Sequence, residues 1–182
     1  KDIPRPYVVV FLGNWDYRID KLKCLNLLSR LALIPGIHVV IRGHSRGDLI
    51  GGLTSSDLKR DGLRRCIYSD GSIHSNCLIF EAIAVINFAS SIGLEAIIQG
   101  RPICNPVYLT ENTTIFKGSG LVVDAFSDTD VVDFVRRVMS NEKPYIVDPG
   151  ARDKFITEHI YGGLAEEELL ARYEELLLMS KD

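Results

Sequence analysis

The sequence lacks the short motifs that mark the common nucleotide-binding folds. It contains no GxGxxG turn and no GxxxxGK[ST] loop, so neither an ordinary dinucleotide-binding fold nor a P-loop is supported. Its four cysteines, Cys24, Cys66, Cys77 and Cys104, show no CxxC spacing. We therefore expect no bound metal and no disulfide framework, and we expect the thiols to be reduced.

Long hydrophobic runs and an excess of one charge are also absent. Every apolar run is broken before about 18 residues, so we expect no membrane-spanning segment and at most a peripheral association with a membrane. No signal-peptide pattern opens the chain, which predicts a cytoplasmic protein, with the inner face of the membrane as a candidate place of action. The net charge of −3 gives no reason to expect a nucleic-acid partner.

What is present is an ordinary globular composition over 182 residues, with 46% apolar and 25% charged residues. This length predicts one domain with appendages. Residues 1–6 lack a starting Met and contain two prolines, which is typical of a linker from a preceding domain. We predict one folded domain over residues 7–163 and a carboxyl-terminal helix over residues 164–182.

Short apolar runs alternate with segments of helical spacing along most of the chain. The runs predict strands at residues 7–12, 37–41, 64–68, 84–88, 103–104 and 121–123. Strands that alternate with helices form parallel sheets with helices on both faces. The sequence therefore predicts an α/β fold, a Rossmann-like, doubly wound and largely parallel sheet of five to six strands.

The most informative stretch, residues 84–106, is typical of a strand, a tight turn, a helix, a glycine stop and a second strand. Ser90 and Ser91 lie at the turn, where small hydroxyl side chains and free backbone N–H groups suit a phosphate. The alternative is that Ser91 only caps the helix. Glu95 lies one turn later, where it can accept hydrogen bonds from ribose or sugar hydroxyls. Its alternative role is to compensate the helix dipole.

Two other strand-end loops are suited to an anion. Residues 42–46 include Arg42 and Arg46, either of which can pair with a phosphate at the serine turn. The loop after the first strand contains Gly13 and Asn14, which are further candidates. His74 precedes a predicted helix, and it is either a helix-start residue or part of the site.

The pattern Ser-Ser-x-Gly-Leu-Glu-Ala at residues 90–96, with Gly-Arg-Pro-Ile at 100–103, resembles the donor-binding half of GT-B glycosyltransferases. The resemblance is to bacterial capsule and surface-polysaccharide enzymes of the Kdo and CDP-glycerol kind. In those, a strand ends in Lys-x-His-Pro-Arg, and the matching stretch here is Arg42-Gly43-His44-Ser45-Arg46. The resemblance implies that His44 and Arg46 face the donor phosphates, that Ser90 and Ser91 hold phosphate, and that Glu95 meets the ribose or sugar. Gly93, within the same pattern, is a further candidate.

Two positions depart from that family pattern. Ser45 replaces the usual proline. Asn87 stands where the first of two glutamates eight positions apart would be, so the resemblance does not extend to a retaining mechanism. No catalytic residue is assigned.

The resemblance implies a domain that binds a nucleotide-sugar as substrate, with no cofactor. The sugar would pass to a surface glycan or lipid-linked acceptor that a missing amino-terminal domain holds. The alternatives are half of a UDP-N-acetylglucosamine 2-epimerase-like enzyme and a non-catalytic interaction module built on a sugar-nucleotide fold.

Overall fold

The centre of the protein is a sheet whose strands all pair in parallel. The structure is a computed structural model that describes residues 3–13, 15, 18–43, 52–69, 71–88, 90–140 and 147–179. Over these residues the strands are β1 (Tyr7–Phe11), β2 (His38–Arg42), β3 (Ile67–Ser69), β4 (Ala84–Asn87), β5 (Ile103–Pro106) and β6 (Val123–Ala125). Their order is β3-β2-β1-β4-β5-β6, which confirms the prediction of a Rossmann-like α/β fold.

Helices connect the strands and follow the last one. They are α1 (Lys21–Leu31), α2 (Ser75–Glu81), α3 (Ile92–Ile98), α4 (Asp128–Ser140), α5 (Pro149–His159) and α6 (Glu166–Met179). Short 3-10 turns occupy Asp57–Lys59, Leu63–Arg65 and Val107–Leu109. Among the residues with assigned structure, no helix is both long enough and apolar enough to cross a membrane.

The two faces of the sheet are covered by different helices. Val8 and Val10 of β1 belong to the same buried apolar cluster as Leu28 of α1 and Val135 of α4. On the opposite face the hydroxyl of Tyr7 donates a hydrogen bond to the carbonyl of Leu78 in α2, at 3.0 Å. Because successive side chains of a strand point to opposite faces, α1 and α2 lie on opposite sides of the sheet. The sheet is therefore doubly wound, as predicted.

The order of the strands creates a point where the chain changes direction. From β1 the chain proceeds outwards through β2 to β3, and then β4 returns to pair with the other side of β1. The connections that leave β1 and β4 therefore diverge to opposite faces of the sheet. In open α/β sheets, ligands bind in the crevice that this divergence opens at the carboxyl ends of the strands.

The chain forms two compact units, Lys1–Val147 and Asp148–Asp182. The sheet and α1–α4 belong to the first unit, and α5 and α6 belong to the second. Helix α5 was not expected from the sequence, because its large apolar residues are few. Its start nevertheless carries two local signals, since the Asp148 side chain accepts a hydrogen bond from the N–H of Ala151 at 2.6 Å and Pro149 fills the first position. The linker over residues 1–6 and the domain boundary at residue 163 stay predictions.

Candidate functional site

A cavity of about 270 Å³ lies at the carboxyl ends of β1, β2 and β4. Its walls come from residues that directly follow these strands and from the first residues of α2 and α3. They are Phe11, Leu12, Arg42, Gly43, His74, Ser75, Ser90, Ser91, Ile92 and Glu95. This is the crevice that the strand order predicts for a ligand. The structure thus brings together Arg42, Ser90, Ser91 and Glu95, which were selected from the sequence, and also His74, for which the sequence left two roles open.

Arg42 provides a positive charge at this cavity. It is the last residue of β2, paired in register with Phe11 of β1 and Ser69 of β3. Its Nη1 donates a hydrogen bond to the Ser69 hydroxyl at 3.2 Å. No carboxylate within the described ranges forms an ion pair with it. Its guanidinium thus lines the cavity without a carboxylate partner among the described residues, and a guanidinium can bind two phosphate oxygens at once.

The serine turn contributes hydroxyl groups. Ser91 occupies the position before α3, but its side chain makes no capping hydrogen bond. The Ser90 hydroxyl oxygen accepts a long hydrogen bond, 3.4 Å, from the N–H of Ile92. Because α3 has only seven residues, it aligns few peptide dipoles. The chemistry of the turn therefore depends on its side chains more than on the helix end.

Glu95 lines the same cavity from the first turn of α3. It is partly buried, and it forms no ion pair with a described cation. A free carboxylate beside a cationic anchor is suited to accept hydrogen bonds from vicinal hydroxyls.

His74 has both of the roles that the sequence left open. It lines the cavity, and its Nδ1 accepts a hydrogen bond from the N–H of Asn76 at 3.3 Å, which caps α2. Because Nδ1 acts as the acceptor, the neutral ring carries its proton on Nε2. Ser75, the next residue, also lines the cavity and was missed in the sequence. The only signal for it is its place beside a histidine at a helix start.

The remaining predicted residues are placed elsewhere or lie outside the described part of the chain. Gly13 and Gly93 do not line the cavity, and they allow close packing. A Cβ at Gly13 would lie 2.5 Å from the Phe88 carbonyl oxygen, and one at Gly93 would lie 2.9 Å from Nδ2 of Asn87. Asn14, His44 and Arg46 are outside the described residues, so their parts in the site stay predictions.

The buried cysteines are not candidates for nucleophiles. Burial raises the pKa of Cys66 to about 12, and it also raises the pKa values of Cys24 and Cys104. These thiols therefore stay protonated at neutral pH. Among the residues whose positions are described, no group of three or more His, Cys, Asp or Glu side chains is arranged to hold a metal ion.

No protein-family model matches the sequence, and no curated protein sequence matches it. Solved structures do. The glycosyltransferase SnogD from Streptomyces nogalater is similar to this chain with a TM-score of 0.53 and 19% identity, over 86% of this chain and 39% of SnogD. The wall teichoic acid polymerase TagF has a TM-score of 0.53 and 14% identity, over 95% of this chain and 45% of TagF. MnaA from S. aureus, solved together with UDP, has a TM-score of 0.53 and 11% identity, over 88% of this chain and 47% of MnaA.

The chain has the fold of one Rossmann-like half of the GT-B structures. The resemblance predicted from residues 90–103 is thereby confirmed at the level of the fold, which is what identities of 11–19% show. The chain spans less than half of the length of each of these structures. The sheet described above therefore corresponds to one Rossmann-like half of the GT-B fold.

Proposed function

We propose that this chain is the donor-binding half of a glycosyltransferase that moves a sugar from a nucleotide-sugar to a surface glycan acceptor. The observation that carries the proposal is the cavity at the crevice between β1 and β4. An arginine, two serine hydroxyls and a carboxylate line it together. These groups match the parts of a nucleotide-sugar, which has a charged diphosphate or phosphate flanked by hydroxyl-bearing rings.

Each side chain has a defined part in the proposal. Arg42 pairs with phosphate oxygens, and Ser90 and Ser91 donate hydrogen bonds to the same group. Glu95 accepts hydrogen bonds from ribose or sugar hydroxyls. When the sugar leaves, negative charge increases on the departing phosphate, so a fixed guanidinium beside it stabilises the transition state more than the ground state.

Charge balance supports a contribution from the neighbouring loop. Arg42 and Glu95 cancel each other among the described cavity residues, whereas a diphosphate brings further negative charge. His44 and Arg46 follow Arg42 by two and four positions in the sequence, and we propose that they supply the additional positive charge. Asn14, after β1, is proposed as a further polar contact.

The size of the cavity supports a site completed by another part of the protein. Enclosed pockets for small molecules usually measure about 300–1,000 Å³, and this cavity is slightly smaller, at about 270 Å³. This chain spans less than half of the length of each structural neighbour. We propose that an additional domain holds the glycan or lipid-linked acceptor. The likeness to a wall teichoic acid polymerase favours a polymer of the cell surface as that acceptor.

Isothermal titration calorimetry with CMP, CDP, UDP and GDP tests the proposal. We expect at least one of them to bind the wild-type chain and to bind more weakly to the Ser90→Ala and Ser91→Ala variants. If none of the four binds, or if both variants bind as tightly as the wild type, the proposed donor site is wrong.

The same titrations separate the two alternatives. Half of a 2-epimerase-like enzyme would prefer UDP over the cytidine and guanosine nucleotides. A non-catalytic module would bind none of them. The half-buried Arg42, which has no carboxylate partner among the described residues, weighs against the module.

A further inference from the structure

Asn87 is a polar residue buried at the carboxyl end of β4, with 1% of its surface exposed. Its side-chain amide forms both of its hydrogen bonds with the backbone of Ser90, three positions later. Oδ1 accepts a hydrogen bond from the N–H of Ser90 at 3.2 Å, and Nδ2 donates one to the carbonyl of Ser90 at 3.0 Å. The amide therefore acts as donor and acceptor at once, and the reversed orientation would place donor against donor and acceptor against acceptor.

This pair of hydrogen bonds determines what the turn can offer a ligand. The backbone N–H of Ser90 is occupied by Asn87, so it is not available to an anion. The Ser90 hydroxyl oxygen accepts from the N–H of Ile92, which leaves its proton free to be donated. Both serines line the cavity. The turn thus presents the hydroxyls of its two serines to the cavity, while the Asn87 amide binds the backbone of Ser90.

The space around Asn87 permits little else. A Cβ on Gly93 would lie 2.9 Å from Nδ2 of Asn87 and 3.0 Å from the ring of Phe116. The first turn of α3 is therefore packed directly against the amide. A longer side chain at position 87 has no room, and a shorter one leaves two backbone groups of Ser90 without partners.

We propose that Asn87 is the positioning residue of the ligand-binding turn, holding the hydroxyls of Ser90 and Ser91 toward a phosphate. This inference rests on the proposed function. The position requires a neutral group with one donor and one acceptor. An ionised aspartate lacks the donor and faces the Ser90 carbonyl with negative charge, whereas a protonated aspartic acid has one donor and one acceptor, as the amide does.

The test is the pH dependence of nucleotide affinity in Asn87→Asp, measured by calorimetry with whichever of CMP, CDP, UDP or GDP the wild type binds. We expect binding about tenfold weaker than wild type at pH 8 and within about threefold at pH 5, because burial and the facing Ser90 carbonyl raise the pKa of the carboxyl group at this position. Arg42, His74 and Glu95 line the same cavity in both proteins, so the ratio of the two affinities at each pH isolates position 87. Asn87→Ala should be weakened by a similar factor at every pH.

Asn105→Asp is the matched control. Asn105 is also buried, with 5% exposed, and it lies in the neighbouring strand β5 away from the cavity. We expect its affinity to stay within about twofold of wild type at both pH values. The proposal is overturned if Asn87→Asp binds like the wild type at pH 8, or if its loss is the same at pH 5 and pH 8.

A second measurement separates this inference from the proposed function. The exchange rate of the Ser90 amide hydrogen, followed by NMR, should rise in Asn87→Ala and remain unchanged in Asn105→Asp. If the wild type binds no nucleotide, the proposed function fails, and this exchange rate still decides whether Asn87 holds the turn. Unchanged exchange in Asn87→Ala contradicts the positioning role.

Discussion

Two cavities of the protein differ in how their charged side chains are paired. One is the cavity between β1 and β4, and the other is a larger cavity at the outer strand β6. The second cavity measures about 580 Å³, against about 270 Å³ at the crevice. Its polar wall consists of three aspartates and two arginines, Asp124, Asp130, Asp133, Arg136 and Arg137. By size alone, the cavity at β6 would be selected as the ligand site.

The charged groups of the larger cavity are mostly engaged with one another and with the backbone. Arg136 forms an ion pair with Asp133 at 3.6 Å. Asp130 accepts a hydrogen bond from the N–H of Phe126, and Asp124 accepts one from the N–H of Gly118. At the crevice, by contrast, the Arg42 guanidinium donates a hydrogen bond to the neutral hydroxyl of Ser69 and has no carboxylate partner among the described residues. The two cavities therefore differ in available charge more than in volume, and this difference is the reason for placing the proposed site at the crevice.

Replacing the arginine of each cavity should give the largest difference. We expect Arg42→Ala to weaken nucleotide binding by about 30-fold, because it removes charge-assisted hydrogen bonds worth about 2 kcal/mol. Arg137→Ala, at the larger cavity, should leave the affinity within about twofold. Calorimetry on both variants measures this. An equal loss of affinity in the two variants would mean that the crevice is not the nucleotide site.

Adding one methyl group should distinguish the helix beside the crevice from a helix outside it. We expect Gly93→Ala to lower the free energy of unfolding by about 1–3 kcal/mol, because its Cβ would press on Asn87 and Phe116. The matched change Gly150→Ala, in the first turn of α5, meets only an Asp148 oxygen at 3.5 Å. It should be neutral or stabilising by up to about 1 kcal/mol. Urea denaturation of both variants gives the two values, and a stable Gly93→Ala protein would contradict the close packing.

Removing a negative charge should have a smaller effect on binding. Glu95→Gln keeps the shape of the side chain but weakens its acceptance of hydroxyl hydrogen bonds, so we expect affinity for a nucleotide to fall about three- to tenfold. Asp133→Asn, at the larger cavity, is the control and should have no measurable effect. Tighter binding by Glu95→Gln would show that the carboxylate repels the ligand instead of holding it.

The smallest effect is expected away from both cavities and depends on pH. The backbone N–H of Thr54 donates to Asp57 at 2.8 Å, and together with Lys21 at 2.9 Å it lowers the pKa of Asp57 to about 2. A carboxyl whose pKa is lowered on folding contributes stability above its unfolded pKa of about 4, and this contribution disappears as the pH falls toward 2. We therefore expect Asp57→Asn to cost about 1 kcal/mol at pH 7 and close to nothing near pH 2.

Chemical denaturation at the two pH values measures this contribution, with Asp61→Asn as the control at an exposed carboxylate. A cost for Asp57→Asn that does not change with pH would mean that the lost interaction is not electrostatic.

The fold was predictable because each central strand is a short apolar run in the sequence. The predicted strands at residues 7–12 and 84–88 match β1 and β4 to within one residue at either end. The outer strands β3 and β6 were displaced by two or three residues from their predicted positions. Edge strands are only half enclosed, so their sequences carry a weaker apolar signal.

The candidate site was predictable only where polar or charged side chains lie in the segment after a predicted strand. Arg42 directly follows a predicted strand, Ser90 and Ser91 lie in the turn after another, and Glu95 lies one helical turn further on; the structure places all four at one cavity. His74 and Ser75 reach the same cavity from the start of α2, after a loop whose path no local pattern reveals. Asn87 was noticed only as a departure from the family pattern. Its bonds to Ser90 depend on the tight geometry of the turn, which is a three-dimensional property.

The strand order also has a consequence for how the protein is made. Val8 pairs with Val39 and also with Ala84, so β1 finds one neighbour early in synthesis and the other only after β4 has left the ribosome. The cavity is complete only after the later pairing, that of β1 with β4, because residues that follow both strands line it. A nascent chain that has completed β1, β2 and β3 therefore has half a sheet with an open central edge, and that edge must stay protected until β4 arrives. A ligand of the proposed site would stabilise only chains that have passed that point.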